Sequence, residues 1–246
     1  MNLANIVKDV KTYNTSGSEE DNKQPVIVAV EKLTAVVDSD SKDTEEFLAC
    51  CDTLKSECKV SIAHRCLAGS NDAYPTIIRA YEKFRGMPDV LLQIVDLLCA
   101  LCDGQPDVLD DKGMGLFLDT LREHSDNAVL VARTVRLICL TCLMHEKNRQ
   151  SYVQNELILK LITALEMHRH DEQVVKDVCR ALRVLTLDDD IRVPFGNAHQ
   201  HAVAIVTHAN ALQKILNICA GNSTSSCYQL SAGLYLLTDY IVVTTL

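Results

Sequence analysis

The sequence predicts an all-α helical solenoid, and three observations lead to this fold class. Apolar helical stretches align at a spacing of about 40 residues, namely VDLLCALC (95–102), VRLICLTC (135–142) and CRALRVLT (179–186). Only 4% of the residues are aromatic, and Trp is absent, which favours helices over a sandwich or barrel. Gly and Pro are scarce as well. A period of this size is typical of arrays in which each unit buries its apolar face against its neighbours.

The helical elements follow one another from Pro25. The stretches PVIVAVEKLTAVV, TEEFLACCDTLKSEC and VSIAHRCLAG predict three helices, and Gly69 is predicted to cap the last of them. Two further helices are predicted over 74–84 and 90–102, and LILKLITALEM starts another at Leu157. These elements indicate an array of about four units over 25–218, with approximate bounds 25–70, 71–113, 114–156 and 157–218.

The fourth unit and both ends of the chain depart from the repeat. The next matching helix, ALQKILNIC, comes about ten residues late, which predicts an insertion near 188–206. Residues 1–24 begin with a short amphipathic segment and continue as the polar linker TYNTSGSEEDNKQ. The divergent tail, 219–246, is rich in Val, Thr, Tyr and Ile, so it favours strand over helix and is expected to fold back on the stack. The alternative is an exposed, aggregation-prone end.

Composition and charge narrow the function classes. The formal net charge is −9, and this sign disfavours the attraction to phosphate backbones that nonspecific nucleic-acid binding needs. The apolar run of the tail, GLYLLTDYIVVTTL, contains Asp239 and is too short to span a bilayer. The N-terminus lacks the features of a secretory signal. We therefore expect an intracellular protein that binds neither nucleic acid nor membrane.

Cysteine usage and the motif search favour a noncatalytic protein. Eleven cysteines are most easily kept as thiols in a reducing compartment. Cys99 and Cys102 recur as Cys139 and Cys142, at i and i+3 on helices without the tight turn that a zinc CxxC pair prefers, so they are predicted to fill the interior. The sequence contains no Gly-rich phosphate loop with a following Lys, no GxSxG and no HExxH. We expect no enzymatic activity, no cofactor and no metal.

An alternative function rests on acidic and histidine residues near the insertion. The triplet Asp188 to Asp190 offers oxygen ligands, but a hard-cation loop also needs spaced ligands and a turn glycine. These carboxylates are instead predicted to cap the next helix and to pair with Arg192. His199 and His201 are spaced i,i+2, so a helix would not bring them to one face, and both are predicted to be solvated. A metal-dependent factor or enzyme that uses this region stays the alternative.

Several longer strings carry a family resemblance. AHRCLAG (63–69), AYP (73–75), DGQPD (103–107), HEKNRQ (145–150) and LRVLTLDDDIRVPFGNAHQHA (182–202) resemble one animal branch of the armadillo-repeat family, over about residues 1–218. The resemblance implies a right-handed superhelix of three-helix units, no catalytic activity, and a location in the cytosol, the nucleus or both. Relatives continue with further repeats where this chain has its divergent tail. The resemblance thus predicts a truncated or alternatively spliced form.

The aligned helices also show what this armadillo array is expected to bind. In armadillo proteins that bind extended basic peptides, the last helix of each unit carries a Trp and, four residues later, an Asn. Here the Trp column holds Asp96, Arg136 and Arg180, and the Asn column holds Ala100, Leu140 and Val184. The binding of nuclear localisation signals in that manner is therefore disfavoured.

Basic residues concentrate on one face of the last two aligned helices. The residues that share this face through i+3 or i+4 spacing are Arg133, Arg136, Lys176, Arg180 and Arg183. One interpretation is a solvated face with intrahelical pairs such as Asp177 with Arg180. The other, which defines the favoured function, is a protein-binding scaffold whose groove accepts acidic or phosphorylated segments through bidentate arginine contacts.

The resemblance adds a covalent modification to these hypotheses. His-x-His tripeptides are substrates of a histidine N-methyltransferase class, and the relatives carry an alternating His run at the position of NAHQHA. Asn197 stands where that run would begin. His199 and His201 are accordingly the candidates for methylation.

Overall fold

The fold consists of helices throughout the described part of the chain. A computed structural model describes residues 24–39, 44–207 and 211–221. These residues form twelve α-helices and one short 3-10 helix, Pro106–Val108, and they contain no β-strand. The α-helices are α1 Pro25–Asp38, α2 Thr44–Val60, α3 Ile62–Ser70, α4 Ala73–Lys83, α5 Pro88–Cys102, α6 Asp111–Glu123, α7 Ala128–Cys142, α8 Glu146–Gln154, α9 Leu157–Met167, α10 Glu172–Leu185, α11 Ala198–Thr207 and α12 Ala211–Gly221. The predicted all-α class is confirmed for these residues.

The helices stack in two adjacent rows. In one row, which we name the inner row, α2, α5, α7 and α10 each pack against the next. In the other, the outer row, α1, α4, α6, α9 and α12 pack in the same way. Because consecutive members of each row come from successive parts of the chain, the arrangement is that of a helical solenoid.

The predicted repeat register coincides with the core of the inner row. Leu98, Ile138 and Leu182 occupy one column of the sequence alignment, and their side chains are 0%, 1% and 1% exposed. On α10 the buried side chains recur every three or four residues, as at Val175, Val178 and Leu182. Burying one such side chain stabilises a fold by about 1.5–3 kcal/mol, so the apolar columns hold the array together.

The same local geometry returns after two repeat spacings. The Arg65 guanidinium donates to the backbone oxygen of Cys58 at 3.1 Å, and the Arg149 guanidinium donates to that of Cys142 at 2.9 Å. Each short helix that carries one of these arginines is followed by a residue in the left-handed region, Asp72 with φ 61° and Glu156 with φ 63°. The repeat therefore extends beyond apolar periodicity to polar contacts between the helices.

The end of α3 differs from its prediction. Gly69 lies inside the helix, which continues to Ser70, so the predicted glycine cap is wrong. Asn71 serves instead, because its backbone N–H donates to the oxygen of Ala68 at 3.1 Å and its side-chain amide donates to the oxygen of Leu67 at 2.8 Å. The last carbonyl groups of a helix have no partner within the helix, and a glycine cap can offer them only backbone N–H groups. Asn71 offers its side-chain amide as well.

The late start of the fourth unit corresponds to a loop followed by a helix. Residues 186–197 lead from α10 to α11, and a turn within them is closed by the N–H of Val193, which donates to the oxygen of Asp190 at 3.0 Å. We name residues 186–197 the insertion loop. The polar linker before residue 24 and the tail after residue 221 lie outside the described residues.

None of the described helices combines the length and the apolar character that crossing a membrane requires.

Candidate functional site

Two adjoining cavities lie along the inner row. The first has a volume of about 400 Å³ and is bounded by side chains of α2, α3, α5 and α7. The second has a volume of about 440 Å³ and is bounded mainly by α7, α10 and the residues that follow them. Asp103, Arg136 and Leu140 line both cavities, so the two form one continuous surface that we name the groove.

The groove is strongly basic in an acidic chain. Its acidic lining residues are Asp96 and Asp103. Its basic lining residues are Lys55, Lys59, Arg65, Arg133, Arg136, Arg180 and Arg183. Four of the five groove residues expected from the sequence therefore line these cavities, whereas Lys176 is exposed on α10 but lines neither of the two.

The groove cations differ in the partners that the fold gives them. The Arg133 guanidinium lies 3.5 Å from the carboxylate of Asp96, which ties α7 to α5. The Arg65 guanidinium lies 3.8 Å from the carboxylate of Asp103. In contrast, Arg136 and Arg180 are exposed and form no ion pair within 4.0 Å with any described residue. Their guanidinium donors are therefore available to a ligand.

A buried carboxylate lies close to this pair of arginines. Asp177 on α10 is buried and accepts a hydrogen bond from the Gln173 side chain at 2.6 Å. Burial raises the pKa of Asp177 above its usual value, and the charges of Arg136 and Arg180 oppose that shift. The predicted solvated pair of Asp177 with Arg180 is wrong, because the carboxylate turns into the protein and bonds to Gln173 instead.

The columns that replace the Trp and Asn ladder line the groove floor. Ala100 and Leu140 border the first cavity, and Leu140 and Val184 border the second. These side chains have no amide to hold a peptide backbone. The groove therefore presents arginine side chains above an apolar floor, a surface that differs from one lined by Trp and Asn.

The cysteines lie beneath this surface. Cys102, Cys139 and Cys142 are buried, as predicted, while Cys99 is partly exposed at the edge of the first cavity. Burial raises the pKa of the Cys99 thiol to about 12 and holds the pKa values of the other three thiols well above their usual range. At neutral pH these groups are protonated thiols that pack between helices and do not act as nucleophiles.

A second polar cluster lies at the insertion loop and centres on a buried arginine. Arg149 on α8 is 0% exposed, and its guanidinium bonds to the carboxylates of Glu146 and Asp189. Glu146, itself 1% exposed, also accepts a hydrogen bond from the N–H of Asn197 at 2.6 Å. Hydrogen bonds from Asn197, Gln150 and Arg149 hold the pKa of the Glu146 carboxyl below its usual value, despite the burial that opposes them.

Asp190 and Arg192 extend the cluster to an earlier part of the chain. The Asp190 carboxylate accepts from the N–H of Glu146 at 2.9 Å and from the Arg192 guanidinium at 2.8 Å. The Arg192 guanidinium also lies 2.7 Å from the carboxylate of Asp107, which bonds in turn to the His145 ring at 2.9 Å. We name these residues the signature network: Asp107, His145, Glu146, Arg149, Asp189, Asp190 and Arg192.

The signature network joins three strings that the sequence singled out separately, DGQPD, HEKNRQ and DDDIRVPFG. The predicted pairing of an acidic triplet residue with Arg192 is confirmed. The predicted capping needs a correction, because the Asp190 carboxylate accepts from the first N–H of α8, which precedes it in the chain and whose N-cap residue is His145, and not from the next helix. The insertion loop folds back on α8, so its carboxylates meet a helix start that lies about 44 residues earlier.

The metal hypothesis finds no ligand set in the part of the chain that the structure describes. No group of three His, Cys, Asp or Glu side chains is placed there to hold an ion. Asp189 and Asp190 direct their oxygens at arginines and backbone N–H groups. His201 is buried, and its Nδ1 lies 2.9 Å from the backbone oxygen of Leu185, so the prediction that it is solvated is wrong.

The two methylation candidates have different surroundings. His199 is exposed at the start of α11, whereas His201 packs against the end of α10. A methyltransferase needs to reach the ring, so His199 is the more accessible of the two. Methylation of either histidine stays a prediction.

Sequence reasoning missed three basic residues of the groove. Lys55 and Lys59 lie on α2 and Arg65 on α3, and all three line the first cavity. The alignment that identified the basic face began at residue 95, so it did not include these helices. The spacing of Cys58 and Arg65 is the same as that of Cys142 and Arg149, and each arginine donates to the backbone oxygen of its cysteine. This shared spacing is the sequence feature that extends the repeat to α2 and α3.

The comparisons with known proteins agree with this architecture. The ARMC6 family model matches residues 26–225. Armadillo repeat-containing protein 6 of Homo sapiens is 37% identical over 218 residues, which cover 88% of this chain and 43% of that protein. The Armadillo repeat-containing protein 6 homolog of Drosophila melanogaster is 35% identical over 207 residues, covering 82% of this chain and 43% of that protein. No solved structure matches the chain.

The matches settle the family and leave the activity of the longer proteins open. This chain spans less than half the length of the relatives. Their names describe a repeat architecture and no enzymatic activity. The resemblance drawn from the sequence strings is confirmed, and the chain belongs to the ARMC6 family of armadillo repeat-containing proteins.

Proposed function

We propose that this protein is a noncatalytic scaffold that binds an acidic or phosphorylated segment of a partner protein in the groove. One observation carries the proposal: Arg136 and Arg180, at equivalent positions of α7 and α10, are exposed on a shared surface without an ion pair among the described residues. Guanidinium groups bind carboxylate and phosphate oxygens through paired hydrogen bonds. Their placement side by side favours an anionic partner.

The dimensions of the groove fit an extended segment. Neighbouring helices of a packed row lie about 8–10 Å apart, and an extended peptide rises about 3.3 Å per residue. Acidic residues about three positions apart would therefore reach Arg136 and Arg180 together. The two cavities, of about 400 and 440 Å³, lie in the size range of binding pockets.

The test is a binding measurement with defined peptides. Fluorescence anisotropy should give tighter binding for a nine-residue peptide with two Asp residues three positions apart than for the same peptide with Asn. Phosphoserine at the same positions should bind at least as well. The double variant Arg136→Gln with Arg180→Gln should weaken acidic-peptide binding at least tenfold, and salt should weaken binding to the unaltered protein.

Matched controls separate the groove from a general charge effect. Lys112→Gln with Arg122→Gln removes two cations from the exposed face of α6, in the outer row, and should leave peptide binding unchanged. Lys176→Gln removes a cation from α10 that lines neither cavity, so it should have little effect as well. Equal losses in all three proteins, or equal binding of the Asp and Asn peptides, would contradict the proposal.

The expected location in the cytosol, the nucleus or both belongs to the same proposal. Fluorescence microscopy of a tagged chain tests it. A secreted or membrane-bound distribution would contradict it.

A further inference from the structure

The two halves of the groove differ in chemistry. The cavity between α5 and α7 is bordered mostly by charged side chains, among them Lys55, Arg65 and Asp96. The cavity between α7 and α10 adds Leu143, Val184 and Leu187 to the shared Leu140, and these side chains form an apolar wall beside the arginines. The groove is therefore basic along its whole length and apolar at one end.

Two leucines of the apolar wall occupy equivalent places. Leu143 follows α7 directly and is 38% exposed, and Leu187 follows α10 by two residues and is partly buried. The backbone N–H of Leu143 donates to the oxygen of Cys139 at 3.1 Å, and that of Leu187 donates to the oxygen of Val184 at 3.2 Å. Hydrogen bonds that extend the last helical turn thus hold both leucines at the groove edge.

The distance from these leucines to the arginines can be read from the helices. Leu143 comes seven residues after Arg136, and Leu187 comes seven residues after Arg180. Seven residues correspond to about two helical turns, or about 10 Å along the helix axis. The line from Arg136 to Arg180 crosses the helices, whereas this distance runs along them, so the segment turns after its acidic residues and covers the distance in about three further residues.

We propose that the apolar end of the groove binds an apolar side chain of the same partner segment, about three residues from the acidic or phosphorylated one. This inference rests on the proposed function, and it adds which acidic or phosphorylated segments the groove prefers. The partner is thus a linear segment that combines an anionic group with a Leu, Ile, Met or Phe side chain. Arg136 and Arg180 beside the leucines select such a segment over a purely apolar one, because an apolar segment would offer their guanidinium groups no carboxylate or phosphate.

Four peptides and a pair of protein variants test the inference. The peptides combine Asp or Asn at the acidic positions with Leu or Ser three residues away. On the unaltered protein, replacing Leu by Ser in the acidic peptide should weaken binding about tenfold. On the double variant Leu143→Ser with Leu187→Ser, the same replacement should change binding less than twofold, because the apolar wall is gone.

The control is Leu159→Ser, which alters a leucine of similar exposure, 43%, on α9 of the outer row. It should keep the preference for the Leu peptide. Thermal melting reports whether the variants fold, and the peptide comparison on the unaltered protein stands without them.

The outcomes distinguish the two proposals. If the acidic peptides bind better than the Asn peptides but Leu and Ser bind equally, the apolar subsite is wrong while the acidic groove stands. If the Asp and Asn peptides bind equally, the proposed function fails, and the inference fails with it. A self-association in size-exclusion chromatography that the leucine double variant abolishes would make this end an interface between two copies and overturn the inference.

Discussion

The buried arginine of the signature network and the two exposed arginines of the groove have opposite surroundings. Arg149 in the signature network is buried and faces two carboxylates, Glu146 and Asp189. Arg136 and Arg180 in the groove are exposed and have no ion pair among the described residues. Both groups belong to the repeat, yet only the first has its charge neutralised within the fold.

The difference indicates what each group does. A buried charge is tolerated only when partners replace its water, so the signature network is a structural device that ties the insertion loop to α8. An exposed arginine keeps its hydration and contributes little to folding. Its location beside another unpaired arginine in a groove is then better explained by a ligand. Variants of the two groups should therefore differ in stability, and the loss should be largest for the buried arginine.

Replacing Arg149 should give the largest loss. In Arg149→Met the carboxylates of Glu146 and Asp189 lose their shared counter-charge, and Glu146 stays buried. Breaking a buried ion pair by removing one partner costs about 3–5 kcal/mol of unfolding free energy. Chemical denaturation measures it, provided that the unfolding is two-state. The control Arg180→Met, at an exposed position of α10, should cost less than about 1 kcal/mol. Equal costs for the two variants would remove the distinction between the two groups.

Asp190→Ala should have the next largest effect. The variant removes the cap on the N–H of Glu146 and a partner of Arg192, and the loss of a helix cap costs about 0.5–2 kcal/mol. Hydrogen bonds from Arg192 hold the pKa of Asp190 well below its usual value of about 3.9. Because the folded pKa is the lower one, the stabilisation is present above about pH 4 and is lost as the pH falls below it. Thermal melting should show a difference from the unaltered protein at pH 7 that shrinks at pH 3; a constant difference would contradict the role of the charge.

Asp177→Asn, beneath the groove arginines, should respond with the opposite sign. Burial raises the folded pKa of this carboxyl, so its ionised form is disfavoured in the fold at neutral pH. Lowering the pH toward the unfolded value of about 3.9 removes that penalty. The variant should therefore be as stable as the unaltered protein at pH 7, or more stable by up to about 1 kcal/mol, and the gain should vanish near pH 3. A loss at pH 7 as large as that of Asp190→Ala would place Asp177 in a structural network.

Part of this arrangement could be predicted from the sequence. The apolar period placed Leu98, Ile138 and Leu182 in one buried column, and the same register put Arg136 and Arg180 on the groove. Helical periodicity determines which face a side chain occupies, so these predictions needed no knowledge of distant contacts.

The rest depends on the path of the chain between the helices. The contact of Arg192 with Asp107 joins residues 85 positions apart, and it depends on the insertion loop, which the repeat does not predict. His201 is buried because the insertion loop returns α11 to the end of α10. Lys176 shares the helical face of Arg180 by spacing but lines neither cavity, because the neighbouring helix determines which part of that face borders the groove.

The smallest effect on stability is expected for the groove arginines themselves. Arg136→Gln with Arg180→Gln should shift the unfolding free energy by less than about 1 kcal/mol, since both side chains are exposed, while acidic-peptide binding is weakened at least tenfold. Charge reversal should not be equally neutral. Two glutamates would replace the cations that favour the ionised Asp177, so Arg136→Glu with Arg180→Glu should be less stable than the Gln pair. Adding Asp177→Asn to the Glu pair should recover that difference. If the Gln pair alone costs several kcal/mol, the arginines are structural; if it leaves both stability and peptide binding unchanged, the groove is not the binding surface.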